Sequence, residues 1–168
     1  MTMVEMLVAV GIGSLVTITL ASLIIYTARG FGSLSNYVDM DKQSRNALDV
    51  MSREIRSATG LRSATTNEIR FDTPAGTNSL RYFYNARDRV FTQFKSGTRT
   101  PLLTGCDEMM ITIYGRNNVS NQFSQFVTTN VGGAKMVQFT WTCSRTIIGA
   151  RLNTESVQSA KIVIRKQN

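Results

Sequence analysis

Few side chains in this sequence could do chemistry, and their types narrow what that chemistry would be. No histidine occurs among the 168 residues, so a Ser or Cys nucleophile would need an unusual base such as lysine. Asp107 with Glu108, and Asp39 with Asp41, are paired carboxylates of the kind that could share acid and base roles; their positions, in a turn and on a polar helix face, read as solvated surface. Gly11 and Gly13 lie inside an apolar run and Gly132-Gly133 reads as a hairpin turn, so neither pair makes a phosphate-binding loop. Cys106 and Cys143 alone do not make a zinc site. Past Glu108 the only acid is Glu155, too little charge for calcium. Asn118-Val119-Ser120 is a formal glycosylation sequon, a match common by chance in polar loops. The sequence therefore predicts no enzyme, no cofactor, no metal and no small-molecule substrate.

Two groups remain. Tyr82, Tyr84, Arg87 and Arg89, with Phe83 and Phe91 beside them, could form a nucleic-acid patch, because bases stack on aromatics beside a basic groove. In a strand, however, Tyr82 and Tyr84 share one face and Phe83 takes the other, so part of the cluster must be core; nucleic acid is not the expected partner. The second group is a single acid, Glu5, at the head of an apolar run. From residue 6 to residue 28 there is no charge and no proline, so a helix rising about 1.5 Å per residue would cross a hydrocarbon layer about 30 Å thick. An intramembrane carboxylate costs on the order of 2.5–3.5 kcal/mol and usually has a partner; alternatively Glu5 sits in the interface, at the favourable end of the helix dipole.

The elements that hold Glu5 follow from periodicity. Ala9, Gly13, Thr17 and Ala21 recur every four residues, a small-residue ridge on which another helix could approach closely; such residues are also simply common in membrane helices. Ser14, Thr17, Thr19 and Ser22 can bond back to the preceding turn, and local melting of the helix between Gly11 and Ser22 is left open. Past Arg29 an amphipathic helix is expected, with Phe31, Leu34, Val38, Leu48, Met51, Ile55 and Ala58 on one face and Asp41, Arg45, Asp49 and Arg53 on the other. It should stop at Thr59-Gly60 with glycine as the cap, giving one helix of roughly 85 Å from about residue 2 to about residue 59. Thereafter the period changes to two. Strands are expected at 68–72, 80–85, 90–95, 109–114, 135–144, 146–152 and 159–165, with 80–85 and 90–95 as a hairpin. The domain reading is 1–28 as the membrane or filament-core half of the helix, 29–59 as its amphipathic half, and 60–168 as a β-rich head. The fold class is α+β, with an antiparallel sheet packed on the apolar stripe of the helix because neither can bury its face alone. The formal charge of +8 is scattered over strands and turns, which reads as solvated surface.

The run MTMVEMLVAV at residues 1–10 closely resembles the mature N-terminus of the type IV pilin-like family. That resemblance implies a basic leader removed by a prepilin peptidase, N-methylation of Met1, and a Glu5 that faces the N-terminal amine of a neighbouring subunit. With no Lys or Arg before the span, and Arg29, Lys42 and Arg45 after it, loss of such a leader would also remove a conflict with the positive-inside rule. The segments ALDVMSREIRSA at 47–58, LRYFY at 80–84 and AKIVIR at 160–165 look like the J-type minor pseudopilins of type II secretion and the W-type minor pilins. The resemblance therefore implies a structural subunit of a pilus-like helical filament, a homo-oligomer held in the bacterial inner membrane before assembly and then extracellular or periplasmic, built by dedicated assembly machinery. Alternatives are a minor pseudopilin that initiates or tips a secretion pseudopilus, and a DNA-binding competence pilin. In such a compartment Cys106 and Cys143 would be placed to form a disulfide, though spacing cannot prove pairing.

Overall fold

The computed structural model describes residues 2–74, 76–117, 124–147 and 150–164. Met1, Ala75, the sequon at 118–120 and Arg165 lie outside the described residues. Helix α1 (Met3–Ser57) is unbroken over 55 residues, about 80 Å at 1.5 Å per residue. Its two halves have different surroundings. Met40, Ser44, Ala47, Met51 and Ile55, with Ala58 just past the helix, recur at steps of three and four and are all buried, because that period stacks side chains on one face. From residue 3 to residue 31 every residue is exposed.

The contact stripe differs from the expected one. Leu48, Met51, Ile55 and Ala58 pack on the head as anticipated, but Phe31, Leu34 and Val38 are exposed. At 100° per residue these three lie on the opposite side of the helix from Met40, Ser44, Ala47 and Met51. Gly32, Ser33 and Asn36 turn toward the head instead. Small and polar residues there let the backbones approach: a Cβ built on Gly32 would sit 3.5 Å from Ile147 Cγ2, and Asn36 Nδ2 donates to the Thr146 carbonyl at 3.3 Å. The far end also differs. Ala58 is extended (φ −69°, ψ 142°), its N–H donates to the Ile55 carbonyl at 3.2 Å, and Gly60 opens strand β1 (Gly60–Ala64). The chain leaves the helix straight into a strand and uses no glycine cap.

The head is two antiparallel sheets. Strands β1, β2 (Glu68–Thr73), β3 (Gly76–Asn85), β4 (Val90–Lys95) and β5 (Thr98–Thr104) form a five-stranded meander in sequence order. Strands β6 (Cys106–Arg116), β7 (Gln125–Val127), β8 (Ala134–Ile147) and β9 (Ala150–Val163) form the second, in the order β7-β6-β8-β9. The expected hairpin is present, with Tyr82 opposite Gln93 and Tyr84 opposite Phe91. In place of a separate strand at 146–152, Thr146 and Ile147 end β8 and residues 150–152 open β9, which runs on to Val163; residues 148–149 of that range lie outside the described residues. A 3-10 turn, Val131–Gly133, stands where a glycine hairpin turn was expected. Strands β1, β5 and β7 were not expected either; GLRSA and TRTPLLT carry little apolar alternation, and their neighbours in the sheet hold them extended.

Alternation aims Ile69 and Phe71 of β2, Leu80, Tyr82 and Tyr84 of β3, and Phe91 of β4 at the core. From the second sheet Val137, Phe139 and Trp141 of β8 meet them. Phe139 is the joint: its ring centroid lies 6.2 Å from that of Tyr82 and 6.1 Å from that of Phe91. Trp141, fully buried, donates its indole N–H to Ser44 Oγ at 3.3 Å, so the largest core side chain is also tied to the helix. At the rim Lys95 and Glu54 pair at 2.7 Å, again sheet to helix. The result is an α+β architecture, one long N-terminal helix followed by antiparallel sheets, that matches a pilin-like fold.

Because Phe139 contacts aromatic rings of the other sheet and is fully buried, Phe139→Ala should destabilise the head by about 3–5 kcal/mol, read as a lowered denaturant midpoint. Ser44→Ala should cost less, about 1–3 kcal/mol, by leaving the Trp141 N–H without an acceptor.

Candidate functional site: the helix terminus and the thiol pair

At the start of α1, Thr2 is extended (φ −83°, ψ 153°) and forms a capping box with Glu5. Thr2 Oγ1 accepts the Glu5 backbone N–H at 3.4 Å, and Glu5 Oε2 accepts the Thr2 backbone N–H at 2.8 Å. Two donors that a helix start leaves without intrahelical partners are thereby satisfied. The carboxylate also lies at the positive end of the helix dipole. Thr2 was not among the candidate residues, although threonine followed three positions later by glutamate is a readable capping signal. The assembly role expected for Met1 falls outside the described residues.

In the single chain the span that follows is a continuous helix through Gly11 and Ser22. Its hydroxyls are satisfied within the helix: Ser14 donates to the Gly11 carbonyl at 2.8 Å, Thr17 to Gly13 at 2.7 Å and Ser22 to Ile18 at 2.9 Å. Such back-bonding lowers the penalty of placing a hydroxyl in an apolar medium. Ala9, Gly13, Thr17 and Ala21 are all exposed, and a Cβ built on Gly13 meets nothing within 4 Å. The ridge is open for a neighbour. By length and composition the helix is apolar enough to cross a membrane.

In the head, the register of β6 and β8 places Cys106 opposite Cys143. Both are buried free thiols, with their sulfurs 2.9 Å apart. They are adjacent but not bonded to each other. The Cys106 thiol, hydrogen-bonded to Cys143, is pushed well up, with burial adding to the effect; Cys143 is held below its ordinary value, first by that same bond and then by Arg145 and Arg89. These two arginines clasp the corner that delivers Cys106. Gly105 has φ +68°, the left-handed region that favours glycine, and a Cβ there would crowd the Arg145 guanidinium and the Ser144 carbonyl. Arg145 donates to the Thr104 carbonyl at 2.8 Å and to Thr104 Oγ1 at 2.9 Å, and reaches Gln43 Oε1 on the helix at 3.2 Å.

The candidate patch of Tyr82, Tyr84, Arg87 and Arg89 does not form one surface, as alternation implied. Tyr82 and Tyr84 are both core residues, on the inner face that alternation assigns them. Burial raises the Tyr82 hydroxyl above its ordinary range. Tyr84 donates to the carbonyls of Cys106 and Asp107 at 3.0 and 2.9 Å. Arg89, at φ +56°, pairs with Asp107 at 2.6 Å and donates to Ser144 Oγ at 2.8 Å. Of the four, Arg87 alone is fully exposed. Of the candidate carboxylates on the helix, Asp39 accepts from Gln43 at 2.9 Å and Asp41 pairs with Arg45 at 2.8 Å. Among the described residues no group of three or more His, Cys, Asp or Glu could hold a metal ion. A groove of about 390 Å³ between the β1–β2 turn and the β6–β7 edge is lined by threonines, among them Thr65, Thr112 and Thr128, with Ile111, and contains no titratable side chain.

Oxidation should join the neighbouring sulfurs: intact mass should fall by two hydrogens, and alkylation in denaturant should label neither cysteine until a reductant is added. Cys106→Ser should then lower stability by about 2–4 kcal/mol relative to the oxidised chain; alkylation of both cysteines after oxidation would refute the pairing.

No family model matches the sequence, and no curated protein or solved structure matches it.

Proposed function

We propose that this chain is a structural subunit of a type IV pilus-like helical filament, held by its N-terminal helix in the inner membrane before assembly. The observation that carries this reading is the uncovered half of α1. Over residues 3–31 the helix is exposed all round, and apart from Glu5 its charge begins only at Arg29. Among the described residues its own head reaches no further than Gly32. At about 25 cal/mol per Å² of apolar surface removed from water, so long a bare helix needs either lipid or other helices around it. A filament supplies both in turn, lipid before assembly and neighbouring helices after.

In this reading Glu5 acts as a test of position. The lone chain holds the carboxylate on its own Thr2 N–H. Moved into an apolar filament core, it meets the N-terminal amine of a neighbour; a pair in the right place offsets the cost of burying each charge, and a misplaced one leaves both charges uncompensated. The ridge of Ala9, Gly13, Thr17 and Ala21 lets helices approach at that position. A prepilin peptidase and the pilus assembly machinery are the partners this demands, and the disposition of the head is compatible with a periplasmic or extracellular filament.

The test is Glu5→Ala expressed beside the wild type. Membrane insertion should be unchanged, while filaments sheared from cells and counted by electron microscopy should fall at least about tenfold, the effect expected from losing a buried charge pair. Normal filaments would overturn the proposal. Wild-type filaments dominated by this chain indicate a major subunit; a chain present only at trace level in them indicates a minor one, as in a pseudopilus tip.

A further inference from the structure

Strand β6 is covered unequally on its two sides. Along one side β8 pairs with it from Cys106 to Gly115. Along the other, β7 reaches only Tyr114, Gly115 and Arg116 of its 11 residues. In an antiparallel ladder, residues two apart send their N–H and C=O to the same side. The Ile113 carbonyl accepts the Thr128 N–H at 3.0 Å, on the β7 side, and the pairing with β8 is regular from Glu108 to Tyr114. The N–H and C=O of Ile111 therefore also point away from β8. The chain closes this edge at both ends, since Thr128 takes the Ile113 carbonyl and the Tyr84 hydroxyl takes the carbonyls of Cys106 and Asp107. Between them Ile111 has no backbone partner on that side among the described residues.

The groove of about 390 Å³ opens at this gap. Ile111 and Ile113 line its β6 side, Thr65 and Thr66 of the β1–β2 turn line the other, and Val127 and Thr128 stand at the end where β7 leaves. Two of the hydroxyls serve their own turns. Thr65 Oγ1 donates to the Glu68 carbonyl and accepts the Glu68 N–H, both at 3.1 Å, and Thr128 Oγ1 accepts the Asn130 N–H at 3.1 Å. The lining narrows the occupant by chemistry: it has no cation for a phosphate, no acid for a metal ion and no aromatic plane for a sugar ring. What it offers is an unfilled backbone donor and acceptor beside aliphatic side chains, which another extended backbone complements.

We propose that this gap binds an extended, uncharged peptide segment of a partner protein, added to β6 as a short strand antiparallel to it and in line with β7. One peptide residue exchanges both backbone bonds with Ile111. Its side chain takes the same face as that of Ile111, the geometry of directly opposed residues, and a small β-branched residue suits the aliphatic lining there. A charged residue is excluded, because the groove holds no countercharge and an unpaired charge is costly to bury. β7 itself shows that this edge accepts a strand. The site is complete in one chain and does not depend on the filament reading.

The probe is the capped peptide acetyl-Ser-Thr-Val-Thr-Ser-amide, whose single valine sets the register. It is titrated into the full chain in detergent micelles and followed by the amide resonances. Saturable shifts centred on Ile111, Ile113 and Val127 are expected, with the Ile111 amide hydrogen exchanging at least about tenfold more slowly in the complex. N-methylation of the valine removes the N–H that faces β6 and should weaken binding about tenfold. N-methylation of either threonine, whose N–H faces away, should change it by less than about threefold. Thr66→Trp fills the groove from an exposed turn and should abolish saturable binding. Arg87→Ala, on the β3–β4 turn, and Glu5→Ala should bind as wild type, which separates this result from any failure of filament assembly. Circular dichroism verifies the fold of each variant. Absence of saturable shifts would overturn the proposal. So would equal losses from all three N-methylated probes, unchanged binding in Thr66→Trp, or equal binding of a probe with aspartate in place of valine.

Discussion

The rest of this structure depends on one imbalance in α1: a helix of 55 residues has been given a head that covers only its C-terminal part. Where the head sits, buried residues recur at helical spacing from Met40 to Ile55. Where it does not, the surface is apolar on every side. The change comes near Gly32, where the absence of a side chain lets Ile147 approach. An isolated folded domain gains nothing by presenting such a surface to water. The apolar half of the helix is therefore uncovered in the single chain, and a lipid layer or the helices of other chains would each cover it.

The head must be rigid to transmit anything along such a rod, and its construction concentrates the connections in few residues. The two sheets meet through aromatic contacts of Phe139 with Tyr82 and Phe91. The helix is tied to both sheets, by Trp141 to Ser44 and by Glu54 to Lys95. Arg145 closes the remaining corner, bonding β5 through Thr104 and the helix through Gln43. Beside it the two thiols face each other across the β6–β8 ladder. These contacts draw on residues far apart in sequence, so their stabilisation arrives only when the whole head has formed.

Charge is distributed with equal asymmetry. The helix is balanced, with pairs such as Asp41 and Arg45 one turn apart, while the head carries all the excess. An apolar assembly tolerates the first and would exclude the second, which keeps the head on the outside of any bundle the helices make. On the β1–β5 sheet Arg70 and Arg81 pair with Glu68 and Arg62 pairs with Asp72, and Arg81 lies over the Phe83 and Phe94 rings.

The apolar run, its single acid, the long helix and the β-rich head could all be read from the sequence, because each rests on local periodicity. The hairpin of β3 and β4 was readable for the same reason, through alternation on either side of a polar turn. Three kinds of information were not local. Which side of the amphipathic helix meets the head was decided by close approach at Gly32, Ser33 and Asn36, against the pull of the larger Phe31, Leu34 and Val38. Weakly patterned strands such as β1, β5 and β7 exist because neighbours supply their hydrogen bonds. Alternation put Tyr82 and Tyr84 on one face, but only the structure showed that this face is the core and that Arg89 goes to Asp107. The sequence by itself determined a helix that needs company; only the tertiary structure decided which residues face the head, which sulfurs meet and which arginines are left outside. Periodicity is a property of neighbours along the chain, whereas faces, thiol pairs and surfaces are properties of neighbours in space.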